Sequence, residues 1–159
     1  MEDIYKVLGQ LHVRYQRFDH PAVFTVAESK DLHLKIPGAH TKNLFLRNKK
    51  KTNYYLVAVL ADKKVNLNQL TKELEEDRLS FGSPPDLQKY LGVSPGSVSV
   101  FGLINDKEHK LKVIVDNDFF KHEKIGFHPN DNTATLIISI DDLKKFLEST
   151  SNKIIYRNI

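Results

Sequence analysis

The stretch Gly92-Val93-Ser94-Pro95-Gly96 fits the pattern G-x-S-x-G, which marks the nucleophile elbow of serine hydrolases. In that elbow a strand precedes the serine, a helix follows it, and the next residue donates its N–H to the oxyanion hole. Here the pattern before Ser94 is helical, and Pro95 has no N–H to donate. We therefore expect a helix that ends at Gly92, followed by a Pro-Gly turn, and we do not expect Ser94 to act as a nucleophile.

Metal and cofactor chemistry finds little support in the sequence. The chain has no cysteine, which excludes disulfides, thiolate nucleophiles and Cys-ligated zinc. His122-Glu123 begins like the zinc motif H-E-x-x-H, but position 126 is glycine, so the second histidine ligand is missing. No other histidines have ligand spacing, and neither a P-loop nor a Rossmann glycine fingerprint occurs. We expect neither a metal nor a cofactor. The seven histidines are His12, His20, His33, His40, His109, His122 and His128.

Two polar features stand beside apolar strand candidates. In "HTKNLFL", Lys42 opens a strand of Leu44, Phe45 and Leu46. An ammonium in such surroundings needs an anionic partner or a function, unless its stem reaches water at the strand edge. In "GFHPNDNTATL", a polar loop leads into the most β-prone run of the chain. Turns use such residues routinely, but a polar loop at the end of a strand is also where ligands are bound.

The charge balance is weakly basic. There are 24 Lys and Arg against 20 Asp and Glu, which gives a net charge of +4. This excess favours a polyanion such as RNA but does not by itself distinguish an RNA-binding protein. The run Arg47, Lys49, Lys50 and Lys51 is a candidate phosphate contact, or simply a solvated hairpin tip. No apolar leader or membrane-length apolar run occurs, so we expect a cytoplasmic protein without a membrane partner.

Periodicity and turn residues predict the elements that must position these groups. Helices are predicted over 2–11, 25–34, 66–77, 85–91 and 142–149. Strands are predicted over 12–18, 41–48, 53–60, 97–104, 111–116 and 133–140, and the tail 150–159 has no clear period. The short hairpin connections argue against repeated βαβ units. We therefore expect one α/β (α+β) domain over 1–159, with a central mixed, largely antiparallel sheet flanked by helices.

Helix termini are predicted from capping residues. Thr25 and Glu28 form a capping-box pair. Ser83 is a predicted N-cap and is followed by two prolines. Asp141 is the predicted cap of the last helix.

Taken together, four stretches make the sequence resemble a known family. They are "FDHPAVFTVAES", "HTKNLFLRNKKK", "LSFGSPPDLQKYLGVSPGSVSVFGLIND" and "FHPNDNTATLIIS". In order and spacing they resemble the YbaK/ProX family of aminoacyl-tRNA editing proteins, which is related to the insertion domain of prolyl-tRNA synthetases. The likeness covers about residues 18–148, and the third and fourth stretches look most like the ProX (PrdX) branch. That branch removes alanine from mischarged tRNA(Pro).

The resemblance implies a deacylase and a set of site residues. Lys42 would hold the phosphate or ribose of the terminal adenosine, and the backbone of the glycine loop would approach the substrate closely. The polar loop would form the pocket for the aminoacyl group and the attacking water, and the adenosine 2′-hydroxyl could position that water. The implied catalytic residues are Lys42, Gly96, Ser97 and His128. The implied substrate-binding residues are Phe45, Val98, Phe101, Gly102, Gly126, Pro129, Asn132 and Thr133. The implied tRNA-binding residues are Arg47, Lys49, Lys50 and Lys51.

Several alternatives stay open at this level. The acyl group could be cysteine, as in the YbaK branch, or serine, and the fold could serve as a non-catalytic tRNA-binding or synthetase-associated module. The expected partner is the acceptor end of mischarged tRNA(Pro), with transient association with prolyl-tRNA synthetase. Ser99-Val100 departs from the Thr-Pro of many relatives, which bears on the rigidity of the glycine loop. A third possibility is that the domain was cut from a synthetase or acts beside one, in which case the tail from Thr150 would be a linker or a docking segment.

Overall fold

The computed structural model describes residues 2–22 and 26–159. Helices and strands are interspersed along the chain. The strands are β1 Gln16–Asp19, β2 Ala39–Asn48, β3 Tyr54–Leu60, β4 Leu79–Phe81, β5 Leu111–Asp116, β6 Lys124–Phe127, β7 Ala134–Ser139 and β8 Lys153–Arg157. The helices are α1 Ile4–Gln10, α2 Val26–Lys35, α3 Leu67–Glu73, α4 Pro84–Leu91 and α5 Ile140–Ser149, with 3₁₀ segments at Val100–Asn105 and Asn117–Lys121. The strands form one sheet in the order β1-β7-β6-β2-β3-β5-β8, with β4 beside β2.

Strand β2 is the central element and is paired unevenly. It runs antiparallel to β3 from Thr41 to Arg47. On its other edge it pairs with β6 only at Ala39 and His40, and with β4 only from Leu46 to Asn48. Residues 41–45 therefore face no strand on that edge, which we call the open edge of β2. Its two ends are closed by the Thr41 hydroxyl, which donates to Gly126 O, and by Gly82 N–H, which donates to Phe45 O.

Hydrophobic side chains fill both faces of the sheet. Phe45 of β2 belongs to a large core with residues of α1, α4 and α5, and Ala39 packs against that core. Leu46 points to the opposite face and belongs to a smaller core with Leu70 of α3. All of β3 except Leu60 is buried, because it lies between the two cores. This explains its continuous apolar sequence, since a strand covered on both faces has no polar side.

Most predicted elements are present, with corrected ends. Helix α4 begins as predicted, since Ser83 Oγ accepts from Asp86 N–H at 3.2 Å. It ends as predicted at Gly92, whose φ of 66° is left-handed. The cap of α5 is Ser139 rather than Asp141, because the Ser139 hydroxyl accepts from Asp142 N–H at 3.1 Å. Of the predicted Thr25–Glu28 capping box, Thr25 lies outside the described residues.

Three regions differ from the predicted pattern. The predicted strand over 97–104 is a 3₁₀ segment, because the Ser99 hydroxyl accepts from Phe101 N–H and caps a tight turn. The tail forms β8, which runs parallel to β5 and packs Ile154 and Ile155 against the two cores. Strands β4 and β6 were not predicted. Parallel pairing joins β2 to β6, β3 to β5 and β5 to β8, so the sheet is mixed, with four antiparallel and three parallel pairings.

Over the residues that the structure describes, the helices are too short or too polar to cross a bilayer.

A buried ion pair joins the ends of β3 and β5 to the C-terminus. The side chain of Asp116 is wholly buried and lies 2.8 Å from Lys63 Nζ. Lys63 Nζ also donates to Ile159 O at 2.9 Å. Removal of one partner from such a pair leaves an uncompensated buried charge.

We expect Lys63→Met to lower the free energy of unfolding by about 3 kcal/mol or more, because Asp116 would be left unpaired. Urea denaturation followed by circular dichroism measures the change. The control is Lys110→Met, since Lys110 is exposed and lies 4.0 Å from Glu108, where the loss should stay below about 1 kcal/mol. Equal losses in both variants would contradict the role assigned to Lys63.

Candidate functional site

Lys42 lies at the open edge, on the face of β2 that carries Leu44 and Leu46. It pairs with Val59 across the β2–β3 ladder and is half-buried. Its ammonium has no hydrogen bond or ion pair to any described residue. No described group neutralises this ammonium, which leaves the charge available to a bound anion.

His128 directly follows β6. The β2–β6 pairing ends at His40 and Gly126, and His128 comes two residues after Gly126 in the chain. His128 Nδ1 lies 2.9 Å from Ala134 O and donates to it. The neutral ring then carries its lone pair on Nε2. Burial lowers the pKa of His128, against the opposing effect of the Ala134 hydrogen bond, so the ring is neutral at pH 7.

Three further histidines surround this position. His20 lies 6.1 Å from His128 between ring centroids, and its Nε2 lies 2.9 Å from Thr135 Oγ1. His33 of α2 stacks on His40 of β2 at 4.0 Å. Burial, reinforced by His40 and then His128, lowers the pKa of His33. His33 and His128 are therefore two histidines of this region whose neutral forms are favoured.

The glycine loop and the polar loop face one another. Gly96 has a φ of 92°, and a Cβ on it would lie 3.5 Å from Asn132 Nδ2. The turn before it is closed by Ser97 N–H, which donates to Ser94 O at 3.1 Å. Ser97 is 9% exposed. Asn130, also at positive φ, donates from Nδ2 to Phe101 O and ties the polar loop to the 3₁₀ segment. Gly96 and Asn132 are thus brought together, as the resemblance implies.

Two aromatic residues with implied substrate contacts lie in the core instead. Phe101 is wholly buried and makes edge contacts with Phe127 and Phe146. Phe45 is 4% exposed and stacks on Tyr54. Because both residues are buried, their side chains pack the core rather than line the site in this conformation.

Two glycines with implied substrate contacts instead permit close packing. A Cβ on Gly102 would lie 3.1 Å from Leu91 Cβ, so this glycine lets the 3₁₀ segment approach α4. A Cβ on Gly126 would lie 2.7 Å from Ile137 Cδ1, which would push β6 and β7 apart. Each residue holds its elements together and offers no side chain to a substrate.

The remaining implied pocket residues border the site without filling it. Val98 is half-buried and packs against the large core. Pro129 lines a second cavity of about 240 Å³ beside the start of α1. Thr133 donates from both its N–H and its hydroxyl to Asp131 Oδ1, at 2.8 and 2.7 Å, so its polar groups shape the loop.

The basic hairpin tip is fixed by a carboxylate. Asp77 accepts from the N–H groups of Lys49 and Lys50 at 2.8 and 3.3 Å. The side chains of Lys49, Lys50 and Lys51 are exposed and form no ion pair with the described residues. Arg47 is half-buried and donates to Asn48 O at 3.1 Å. Three unpaired ammonium groups therefore stand on a rigid turn.

One cavity lies beside the predicted residues rather than on them. It has a volume of about 330 Å³ and includes none of the residues implied by the resemblance. Its lining is His33, Gly38, Ala39, His40, Leu60, Ala61, Asp62 and His122. Although three histidines and an aspartate border it, no group of side chains in the described part of the chain is arranged to hold a metal ion.

Sequence reasoning overlooked Asn43, which lies next to Lys42. Its Oδ1 is buried and has no hydrogen-bond partner. Its backbone groups turn toward the open edge, where the register provides no partner strand. The only signal in the sequence was a second polar residue in the apolar run "TKNLFL". His20, His33 and His40 were overlooked as well, because their approach depends on α2 folding back over β2.

Comparison with known proteins now identifies the family. Residues 20–146 match the aminoacyl-tRNA editing domain. The chain belongs to the aminoacyl-tRNA editing domain family. It is 35% identical over 145 residues to the prolyl-tRNA editing protein ProX of Acetoanaerobium sticklandii, covering 91% of this chain and 88% of that one. It is 38% identical over 155 residues to the mouse prolyl-tRNA synthetase associated domain-containing protein 1, covering 95% and 91%.

Solved structures share the fold of this editing domain. A candidate trans-editing enzyme for prolyl-tRNA synthetase superposes with a TM-score of 0.69 at 17% identity, over 100% of this chain and 98% of that one. A hypothetical protein superposes with a TM-score of 0.73 at 17% identity, over 98% of each chain. The predicted α/β fold with a mixed central sheet is confirmed.

Because burial lowers the pKa of two histidines, we expect the free energy of unfolding of the editing domain to depend on pH. Both His33 and His128 have pKa values below the ordinary 6.5, so the unfolded chain binds protons more readily than the folded one near that pH. We therefore expect the free energy of unfolding to fall as the pH drops through about 6.5, toward the lower folded pKa values. Urea denaturation across this range measures the slope.

His33→Gln and His128→Gln should each flatten that slope, because each removes a group whose proton uptake favours unfolding. The control is His109→Asn, which changes an exposed histidine and should leave the slope as it is. A slope unchanged by both site variants would contradict the assigned burial effect.

Proposed function

We propose that this editing domain hydrolyses the ester of alanine on mischarged tRNA(Pro), acting in trans. Membership of the editing family makes the protein an aminoacyl-tRNA deacylase. The alanine ester and the tRNA(Pro) body are our inference, supported by the 35% identity to a prolyl-tRNA editing protein. The observation that carries the proposal is Lys42, half-buried at the open edge of β2 without a described partner.

In the proposed reaction, a water molecule attacks the ester carbonyl. A bond forms between the water oxygen and the carbonyl carbon, and the bond to the ribose oxygen breaks. The products are alanine and a tRNA with its terminal hydroxyl restored, while one proton passes to solvent. Aminoacyl esters are reactive already, so positioning and charge stabilisation can supply the acceleration.

Each site group has a proposed part in that reaction. Lys42 grips the phosphate or ribose of the terminal adenosine as a compact positive charge. His128 Nε2 is an acceptor in the neutral ring and orients the attacking water, together with the adenosine 2′-hydroxyl. Gly96 lets the loop backbone approach the ester, because it has no Cβ and takes up a positive φ. Asn132 beside it orients the α-amino group or the carbonyl.

In this proposal, the site discriminates against proline because the prolyl side chain is too large to enter the pocket. A pocket sized for a methyl group rejects the pyrrolidine ring by steric clash. Additional methylene groups in a roomy pocket would change binding by only about 1–3 kcal/mol. We therefore propose that the glycine and polar loops, which meet at Gly96 and Asn132, set the size of the pocket.

Lys42→Ala should reduce single-turnover deacylation of Ala-tRNA(Pro) by about 100-fold or more, because the charge that holds the substrate is lost. Lys42→Arg should recover only part of the rate, since the planar guanidinium has a different shape. The matched control is Lys153→Ala on β8, which removes an exposed ammonium at the far edge of the sheet.

Pro-tRNA(Pro) and Cys-tRNA(Pro) belong in the same assay. Preferential release of cysteine would keep the chemistry and contradict the alanine assignment. Release from none of the esters, with tRNA still bound, would make the domain a binding module and overturn the proposal.

The hairpin tip should bind tRNA phosphate. Replacement of Lys49, Lys50 and Lys51 together by alanine should weaken binding at low salt. It should also reduce the slope of log affinity against log salt by roughly 2–3, since each phosphate contact contributes about one. Filter binding at several salt concentrations measures this slope. An unchanged slope would mean that the tip is only a solvated turn.

A further inference from the structure

Phe81 is a large apolar side chain that the fold leaves uncovered. It is 61% exposed, at the end of the short strand β4. Leu79, two residues earlier on the same face, is 4% exposed under α3. The apolar face of β4 therefore continues past the helix that covers it. Single exposed apolar residues are common on protein surfaces, so a role for Phe81 depends on what lies near it.

Phe81 and Lys42 project from the same face of the sheet. Phe81 stands directly opposite Leu46 in the β2–β4 ladder, and paired residues share a face. Lys42, Leu44 and Leu46 alternate along that face of β2. Lys42 and Leu46 are four positions apart in the sequence, which corresponds to about 13 Å along a strand. A chain lying along the open edge could therefore touch both side chains.

The backbone that carries Phe81 is held firmly. Gly82 N–H donates to Phe45 O at 2.9 Å. A Cβ on Gly82 would lie 2.2 Å from Phe45 Cε2, so the Phe45 ring packs directly against the glycine. The ring of Phe81 is thus presented from a fixed position, which reduces the entropy lost when a ligand stacks on it.

The lysines of the hairpin tip and Lys42 lie on opposite sides of Phe81 along β2. The β2–β4 register continues from Leu46 to Asn48, and the hairpin tip of Lys49, Lys50 and Lys51 follows at once. Nearby carboxylates are already bound. Asp77 accepts from the tip backbone, and Glu76 accepts from Tyr55 Oη at 2.8 Å. Along β2 the order is therefore one unpaired ammonium, one exposed aromatic ring and a group of unpaired ammonium groups.

We propose that Phe81 is a stacking platform for an unpaired base near the 3′ end of the RNA substrate. The inference rests on the proposed function, since it places the terminal adenosine at Lys42. Proteins that bind single-stranded nucleic acid combine a positively charged track with aromatic side chains on which bases stack. At the 3.4 Å rise per nucleotide of a stacked strand, about 13 Å spans a few nucleotides, the scale of a single-stranded acceptor end.

The test uses the whole protein and a hairpin RNA with a four-nucleotide 3′ overhang, carrying 2-aminopurine at each unpaired position in turn. Wild type should quench the fluorescence of at least one position through stacking. Phe81→Ala should abolish that quenching and weaken binding by about 5- to 150-fold. Phe81→Trp should retain both, because it keeps an aromatic face. This measurement needs no turnover, so it can succeed even if the proposed deacylation fails.

Two controls make the result specific. Tyr156→Ala removes a 41% exposed aromatic ring from β8 at the far edge of the sheet and should leave quenching and affinity unchanged. A blunt hairpin without the overhang should bind wild type and Phe81→Ala equally. If Phe81→Ala binds the overhang as wild type does, the proposal is overturned. Loss of prolyl-tRNA synthetase capture with RNA binding intact would make Phe81 a protein contact and overturn it equally.

Discussion

Strand β2 is paired on both edges at its ends but on only one edge from Thr41 to Phe45, and the site depends on this gap. Unpaired backbone groups in a sheet must find water or a ligand. The strand tolerates the gap because its other edge pairs with β3 along seven residues and because both faces are anchored in cores. If β6 continued alongside β2, its backbone would cover the edge beside Asn43. The chain instead leaves β6 after Phe127, and His128 begins the polar loop.

The charge distribution around the gap follows from burial. Burial disfavours the protonated rings of His33 and His128, so neutral rings are favoured at pH 7. The ammonium of Lys42 has no partner among the described residues, and the role proposed for His128 uses the lone pair of its neutral ring. Protonation of His128 would remove that lone pair. The same burial that gives the site its chemistry therefore makes the fold less stable in acid.

Local signals were sufficient to predict part of the fold and to single out two candidate site features. Ser83 and Gly92 delimit α4 because capping depends on neighbours within a few residues. Lys42 and the polar loop were recognised because charged residues beside apolar runs are visible in sequence. Strand β8 was missed because its partner, β5, lies some forty residues earlier and the pairing is parallel. The burial of the Phe101 ring against Phe127 and Phe146 was not visible in the sequence for a related reason, since only the folded chain brings these three rings together.

The glycine loop shows how this chain rigidifies a segment without the proline of many relatives. At Ser99-Val100 the backbone enters a 3₁₀ segment, and the Ser99 hydroxyl accepts from Phe101 N–H at 3.2 Å. Gly102 N–H donates to Ser99 O at 3.0 Å, so one serine holds the turn through both its side chain and its backbone. Val100 is wholly buried and anchors the segment in the large core. A proline would fix φ at this point, whereas here a cap and a buried side chain restrict the same backbone. The loop that carries Gly96 is therefore held at its C-terminal end by packing, and at its N-terminal end by the left-handed cap at Gly92.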